Sequence, residues 1–337
     1  MKKLFFGLNN LAALALIFSY LSPLVHPSTT WFFSIFGLGY PFLLIINLFF
    51  MFAWLAIKPR YALLSGLLLV LGFGAITRTI GLHSADPGEG ITLMTYNIGK
   101  TRIDFHNKGK EKKISRFKSF IQKQKPDIIC IQERLPRHLK IYDKIFSGYE
   151  LHPVDADIGT AIYSRYPIVR TGNIPFNTKS HNATWADIEV RGGKVRVYSL
   201  HLSSNRVTNL TDDLREIFDE SKYILSKYNE HAQIRVKQLE KVLKHAAKTK
   251  HPVIISGDFN DVPQSYVYKM ISRQYEDAFM QKGKGLAQTF IGRFIGLRID
   301  YTFVDKHMDI LDHKIIKAAL SDHYPVMTTF RMDSLQI

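Results

Sequence analysis

Residues 1–82 carry five positive charges, Lys2, Lys3, Lys58, Arg60 and Arg78, and contain no Asp or Glu. Between those charges lie three long apolar runs: 4–25 (LFFGLNNLAALALIFSYLSPLV), 31–57 (WFFSIFGLGYPFLLIINLFFMFAWLAI) and 61–77 (YALLSGLLLVLGFGAIT). Such runs constrain a chain severely, because a helix of ~20 apolar residues matches the hydrocarbon thickness of a bilayer. Only helices or closed barrels satisfy their backbone there, and three segments cannot close a barrel. The sequence therefore predicts a membrane anchor of three transmembrane helices over 1–82. Lys2-Lys3 before an apolar run also resembles a signal peptide, but no small-residue cleavage pattern follows and two further apolar runs do. Lys2-Lys3 and Lys58–Arg60 fall on one side of a three-helix path, whereas the HPSTT loop on the other side has no Lys or Arg. The positive-inside rule then places the N-terminus in the cytoplasm. Three crossings leave everything after about residue 82 outside it, with Arg78 snorkelling to the headgroups at the outer end. The polar segment HSADPGEG, 83–90, is the expected linker.

The remainder is a different kind of chain. Of the formal net charge of +16, +11 falls on residues 83–337. A basic surface suits polyanionic partners, either nucleic acid or anionic lipid. Cys130 is the single cysteine, so no intramolecular disulfide forms. Strand signals and helix signals alternate. ITLMTYNI (91–98), DIICIQE (127–133), GTAIYSRYPI (159–168), WADIEV, KVRVYSLHLSS, VIISGDFND, RIDYTFV and PVMTTF read as strands, with Gly192-Gly193 as a turn. ISRFKSFI (114–121) puts Ile114, Phe117 and Ile121 on one helical face beneath lysines, and 209–249 is a long polar helix with Leu239, Val242, Leu243 and Ala246 as its stripe.

Strand after strand ends in a residue able to handle metal or phosphate: Asn97, Glu133, His201, Asp258 with Asn260, Asp300, and Asp322-His323. Each has a plain structural alternative as a turn former, cap or half-buried histidine. Their recurrence at one position relative to successive apolar runs favours a site, since strands hold such groups rigidly at one end of a sheet. Asp261, the next acid along from Asp258, falls outside the pattern, so Asp261→Asn is expected to keep most activity, whereas Asp258→Asn, taken as a near-isosteric exposed change, is expected to leave melting unchanged within about a degree or two.

TYNI, IQE, GTAIYSRYPI, YSLHLSS, SGDFND, RIDYTFV and SDHYPV occur here in the order found in the endonuclease/exonuclease/phosphatase superfamily, which residues 91–332 resemble. The resemblance implies an α/β fold, a four-layer α/β sandwich of two packed mixed sheets flanked by helices, hydrolysing phosphate esters with magnesium, or manganese in its place. It implies Glu133 as principal metal ligand, with Asn97 beside it and Asp322 sharing the task or holding a second ion. Asp258 would orient or deprotonate the attacking water, and Asn260 would hold that water or a phosphate oxygen. His323 would donate to the phosphate, with Asp300 fixing its tautomer, and His201 would be a second donor. A hard cation needs few carboxylates, which agrees with this set, and no Cys or His cluster has zinc spacing. The segment FIGLRIDYTFV departs from the inositol polyphosphate 5-phosphatase branch, and His201 points toward nuclease and sphingomyelinase-like branches. The mixed charges of 203–250, among them Arg206, Arg215, Lys222, Asp212 and Asp219, read as a solvated helix face rather than a nucleic-acid groove.

The expected partners are thus a phosphate-ester substrate, nucleic acid first and a phospholipid headgroup second, and a lipid bilayer through residues 1–82; the sequence points to no protein partner. A non-catalytic, membrane-tethered binding module is the alternative of another class. It fits poorly with a full set of chemically competent residues.

Overall fold

The computed structural model describes residues 1–86, 88–99, 110–135, 138–147, 149–151, 159–176, 181–191, 193–204, 214–291, 296–318 and 320–332. The chain divides into two units. Met1–Ile80, Ser204–Val236 and Asp261–Met270 form one, and Gly81–Ser203, Lys237–Asn260 and Ile271–Ile337 form the other.

In the first unit the apolar runs become helices α1 (Lys2–Leu21), α2 (Phe32–Leu38), α3 (Tyr40–Ile57), α4 (Ala62–Leu71) and α5 (Phe73–Thr77). Gly39 separates α2 from α3 and Gly72 separates α4 from α5, positions where glycine's poor helix propensity lets the axis break. Among the described residues, only Lys2–Leu24 and Tyr40–Ile57 are long and apolar enough to cross a membrane. At 1.5 Å per residue, α4 rises only about 15 Å, half the hydrocarbon thickness. The expectation of three transmembrane helices is corrected to two candidates. The extracytoplasmic placement of the following domain, which needed an odd number of crossings, loses its basis. Arg78 does not reach outward: its Nη1 donates to Gln264 Oε1 at 3.3 Å and its guanidinium lies over the Tyr268 ring.

These helices pack through Ala13, Leu16, Tyr40, Leu44 and Leu68. A polar seam runs between them, in which Ser65 Oγ donates to Asn9 Oδ1 (2.9 Å) and Asn47 Nδ2 donates to the Ala12 carbonyl (3.1 Å). Interhelical bonds of this kind hold apolar helices together without help from the hydrophobic effect. Leu63, Leu67, Phe49, Phe52 and Val70 are all at least 59% exposed.

The second unit begins at the boundary strand β1 (Ile80–Leu82) and continues with β2 (Ile91–Asn97), α6 (Lys110–Gln124), β3 (Ile128–Arg134), α7 (Leu139–Ile145), β4 (Glu150–Leu151), β5 (Gly159–Ser164), β6 (Ile168–Pro175), β7 (Asn182–Val190) and β8 (Gly193–His201). Helices α8 (Leu214–Ala246) and α9 (Tyr266–Ser272) belong to both units; β9 (Val253–Asp258) lies between them, and after α9 come β10 (Tyr275–Asp277), α10 (Ala278–Lys282), β11 (Lys284–Leu286), β12 (Asp300–Asp305), β13 (Met308–Ile315) and β14 (Val326–Met332). Two six-stranded mixed sheets result, ordered β10-β12-β9-β8-β7-β6 and β13-β14-β2-β3-β5-β4. Gly192 of the expected turn, and Arg206, Asp212 and Asp213 of the charged stretch, lie outside the described residues.

The sheets share a core, and the sequence alternation explains why. Leu93, Ile128 and Cys130 face the cluster that also holds Ala186, Val197 and Ile254 of the other sheet. Their neighbours Met94, Tyr96, Ile129 and Ile131 face the opposite way, onto Ile114, Phe117 and Ile121 of α6 and Ile141 of α7. Strands buried on both faces read as unbroken apolar runs, which is the character of IICI.

The connections decide where polar groups gather. β2 and β3 are parallel, as are β8 and β9, so all four strands end at the same edge of their sheets. β12 runs antiparallel to β9 with Asp300 opposite Asp258, and β14 runs antiparallel to β2. Both therefore begin where the others end.

Candidate active site

At that edge the first contact joins the two sheets. Asn97, the last residue of β2, donates its Nδ2 to Asp258 Oδ2 at 2.9 Å. Its Oδ1 accepts from the Gly99 backbone N–H, also at 2.9 Å, which fixes the orientation of the amide. Asp258 Oδ1 accepts from the Asn260 N–H at 2.8 Å, and Asn260 Nδ2 in turn donates to the Leu202 carbonyl. Asp258 is 1% exposed. Burial first, and then the nearby Asp300 carboxylate, push its carboxyl up to about 7, against the opposing pull of His323, Asn97 and Asn260.

His323 completes this group. Its Nδ1 lies 2.9 Å from Asp300 Oδ2 and its Nε2 lies 3.9 Å from Asp258 Oδ2. Burial disfavours the charged imidazole, yet Asp300 and Asp258 outweigh that cost and raise His323 to about 10. The ring is therefore an imidazolium at neutral pH. Thr289 Oγ1 accepts from the backbone N–H of Asp300, pinning the start of β12.

His201 closes the gap to Glu133. Its Nε2 sits 3.6 Å from Asp258 Oδ2 and 4.0 Å from Glu133 Oε1. The Glu133 side chain is 20% exposed, the most open of this set. It is aimed by a defect in the sheet: the β3–β5 ladder jumps from Ile131 to Arg134, and Glu133 has a φ of +60°. A bulge of this sort turns a side chain out of the pleat. Beneath it, Gln132 bridges the sheets, its Nε2 donating to Thr95 Oγ1 and Ser199 Oγ at 3.1 Å each. Asp322 is half-buried beside Ser321, whose Oγ is 2.8 Å from the Asn97 carbonyl and 3.0 Å from Asp322 Oδ1.

Of the eight residues expected from sequence, Asn97, Glu133, His201, Asp258, Asp300 and His323 thus form one contiguous group. Asn260 holds Asp258 through its backbone, and Asp322 connects to Asn97 through Ser321. Two residues escaped the sequence reading. His181, 9% exposed, places its ring 4.7 Å from that of His201; its only sequence signal is a histidine at the start of β7, the strand paired with β8. The other is the part played by Asp261, which is 4% exposed; the expectation that Asp258 is exposed is corrected, since it is 1% exposed. Arg235 Nε donates to Asp261 Oδ2 at 3.0 Å and Tyr228 Oη to Asp261 Oδ1 at 3.1 Å.

Two groups have donors suited to a cation. Asp258, Asp300 and His323 each offer a ligand atom within 4.8 Å of the others. In the absence of a cation, Asp300 pairs with His323 and Asp258 accepts from Asn97. Glu133, whose side chain is 20% exposed, offers a carboxylate, the hard-oxygen donor type magnesium prefers.

Residues 94–323 match the Endonuclease/Exonuclease/phosphatase family, and residues 2–79 match a domain of unknown function, DUF8431. No curated protein sequence matches the chain. Among solved structures, a Bacteroides thetaiotaomicron mannosyl-6-phosphatase is similar at 17% identity and a TM-score of 0.55, covering 71% of this chain and 99% of its own. A humanized D. rerio TDP2 is similar at 19% identity and 0.55, covering 72% and 99%. The human Nocturnin catalytic domain is similar at 17% identity and 0.54, covering 74% and 96%. At such identities the likeness is one of fold, and the family match spans more than half of the sequence. The chain belongs to the endonuclease/exonuclease/phosphatase family.

Proposed function

We propose that the protein is a divalent-metal-dependent phosphodiesterase acting on nucleic acid and held at a membrane by its N-terminal helices. The observation that carries the hydrolytic reading is the Asn97–Asp258–His323–Asp300 chain, in which a buried carboxylate with raised proton affinity faces an imidazolium. Asp258 takes the proton of the attacking water, the water oxygen bonds to phosphorus, and the phosphorus–oxygen bond to the leaving group breaks. Asn97 and the Asn260 N–H hold Asp258 through neutral donors, whose lowering of its proton affinity is outweighed by burial and Asp300. His323 donates from Nε2 to a phosphoryl oxygen as negative charge develops, while Asp300 keeps it charged. His201 is the second donor. Glu133, with Asn97 and Asp322, would hold magnesium or manganese, which supplies charge neutralisation at the phosphate.

Nucleic acid is favoured by the charge of +11 on residues 83–337, and one similar structure is TDP2 with a single-stranded DNA product. The rival substrate is a phospholipid headgroup, favoured by the exposed apolar surface of Leu63, Leu67, Phe49 and Phe52. That surface, far larger than scattered single residues, is also what supports membrane anchoring. The full chain in detergent should be assayed on oligonucleotide, sphingomyelin and a sugar monophosphate, with EDTA and with magnesium added back. Oligonucleotide cleavage that EDTA abolishes and magnesium restores is expected. Turnover of the lipid or the monoester alone would overturn the nuclease assignment, and cleavage unaffected by EDTA would overturn the metal.

A further inference from the structure

The outer surface of α6 carries Lys112, Arg116, Ser119 and Lys123, all exposed. Their spacing of four, three and four residues lines them up along one ridge. The ridge lies opposite Ile114, Phe117 and Ile121, which are 8%, 1% and 1% exposed against the sheet. It extends about 16 Å at 1.5 Å per residue. Glu111 is the single acid of the helix and falls on its flank. Among the described residues, none of the three cations has a carboxylate at ion-pair distance. Neighbouring α7, which shares the same apolar cluster, adds exposed Lys140 and Lys144 against Asp143.

Topology connects this ridge to the reacting edge. Because β2 and β3 are parallel and α6 joins them, the helix runs antiparallel to both. Lys112 is therefore at the end of the sheet where Asn97 and Glu133 lie, and Lys123 is toward the far end. We propose that the α6 ridge is a docking track for the backbone phosphates of a polynucleotide whose scissile phosphate occupies the Asn97–Glu133–Asp258 site. The proposal rests on the nuclease reading above and deepens it. A line of cations leading away from a site suits a linear polyanion. A lipid surface is a worse fit, since a membrane-binding helix needs an apolar face free to insert, and that of α6 is already buried.

The test uses the full chain in detergent, with K112A/R116A/K123A compared against K237A/K241A/K244A. The second triple removes the same charge from exposed positions on α8, toward the far end of the β8–β9 pair. Binding of a fluorescent 20-nucleotide strand is followed by anisotropy in EDTA across a salt series, and turnover of bis-p-nitrophenyl phosphate is measured in magnesium. Each phosphate contact contributes about 0.7 to the salt slope for single strands. The α6 triple should therefore lower the slope by about 2 and weaken binding by roughly 10- to 100-fold at 50 mM salt. Turnover of the small diester should be unchanged, and the α8 triple should lose far less binding. Equal losses from the two triples, or an unchanged slope in the α6 triple, would overturn the track. Strand binding that depends on the ridge without cleavage would uphold the track and remove the nuclease reading alone. Protection of α6 from hydrogen exchange in anionic but not zwitterionic nanodiscs, with no protection by the strand, would make it a lipid-facing surface and refute the proposal.

Discussion

Asp258 and Asp261 sit three residues apart in one segment and are equally hidden from water, yet their surroundings differ in kind. Asp258 is held by an amide and a backbone N–H, and burial drives its proton affinity up. Asp261 is held by a guanidinium that is itself 0% exposed. At Asp258 the two neutral donors lower proton affinity, but burial and Asp300 raise it further. A buried guanidinium fixes a carboxylate as a charge and makes it part of the structure. On the proposed reading, chemistry and stability are thus separated within a single turn by the choice of partner.

Asp258→Asn should separate them most sharply. Loss of a positioned base lowers the rate about 10²- to 10⁴-fold. One of the two donors at Asp258 loses its acceptor, so stability should fall by only about 1–3 kcal/mol. Measured turnover above a tenth of wild type would end the assignment of Asp258 as base. Asp261→Asn should do the reverse. It leaves Arg235 charged in the interior, at a cost of about 3–5 kcal/mol, which denaturant melts would reveal, while turnover per folded molecule stays within a few-fold. If this variant melts like wild type but is inactive, the two acids have been given the wrong roles.

A smaller effect is expected at His181. Removing its ring with Ala takes away a contact worth about 0.5–1.5 kcal/mol, up to about tenfold in rate. The loss should appear in kcat rather than KM, and His181→Phe should restore most of it. A Phe variant as slow as the Ala variant would mean that the ring nitrogens matter. The subtlest expectation concerns pH. Because Asp300 raises His323 in the folded state, the pair adds stability that is complete below the unfolded value near 6.5 and disappears as pH rises through about 10. The melting difference between wild type and Asp300→Asn should accordingly shrink between pH 6 and pH 10. A constant difference would show that Asp300 acts through packing.

The same contrast explains what was legible beforehand. Leu93, Met94, Ile128 and Ile129 announce doubly buried strands because each successive residue meets a different core. Asn97, Glu133, His201 and Asp258 could be read as a set because parallel strands deliver their ends to one edge. Asp261 could not be read this way, since Arg235 and Tyr228 reach it from a helix 26 and 33 residues earlier in the chain. Nor could His181, whose contact arises only from the β7–β8 pairing. The helix count failed for a local reason: the third apolar run was summed across Gly72, where α4 ends.

The left-handed backbone at Glu133 has one last consequence. A residue with a Cβ resists φ near +60° by roughly 1–3 kcal/mol, and glycine would adopt it freely. Selection for folding alone would therefore favour glycine at this bulge, and a library sorted only for thermal tolerance should drift there, yielding sturdier and inert proteins. If Glu133 has the proposed role, the glutamate is a standing compromise, in which the chain is kept slightly less robust than it could be so that one carboxylate faces the right way.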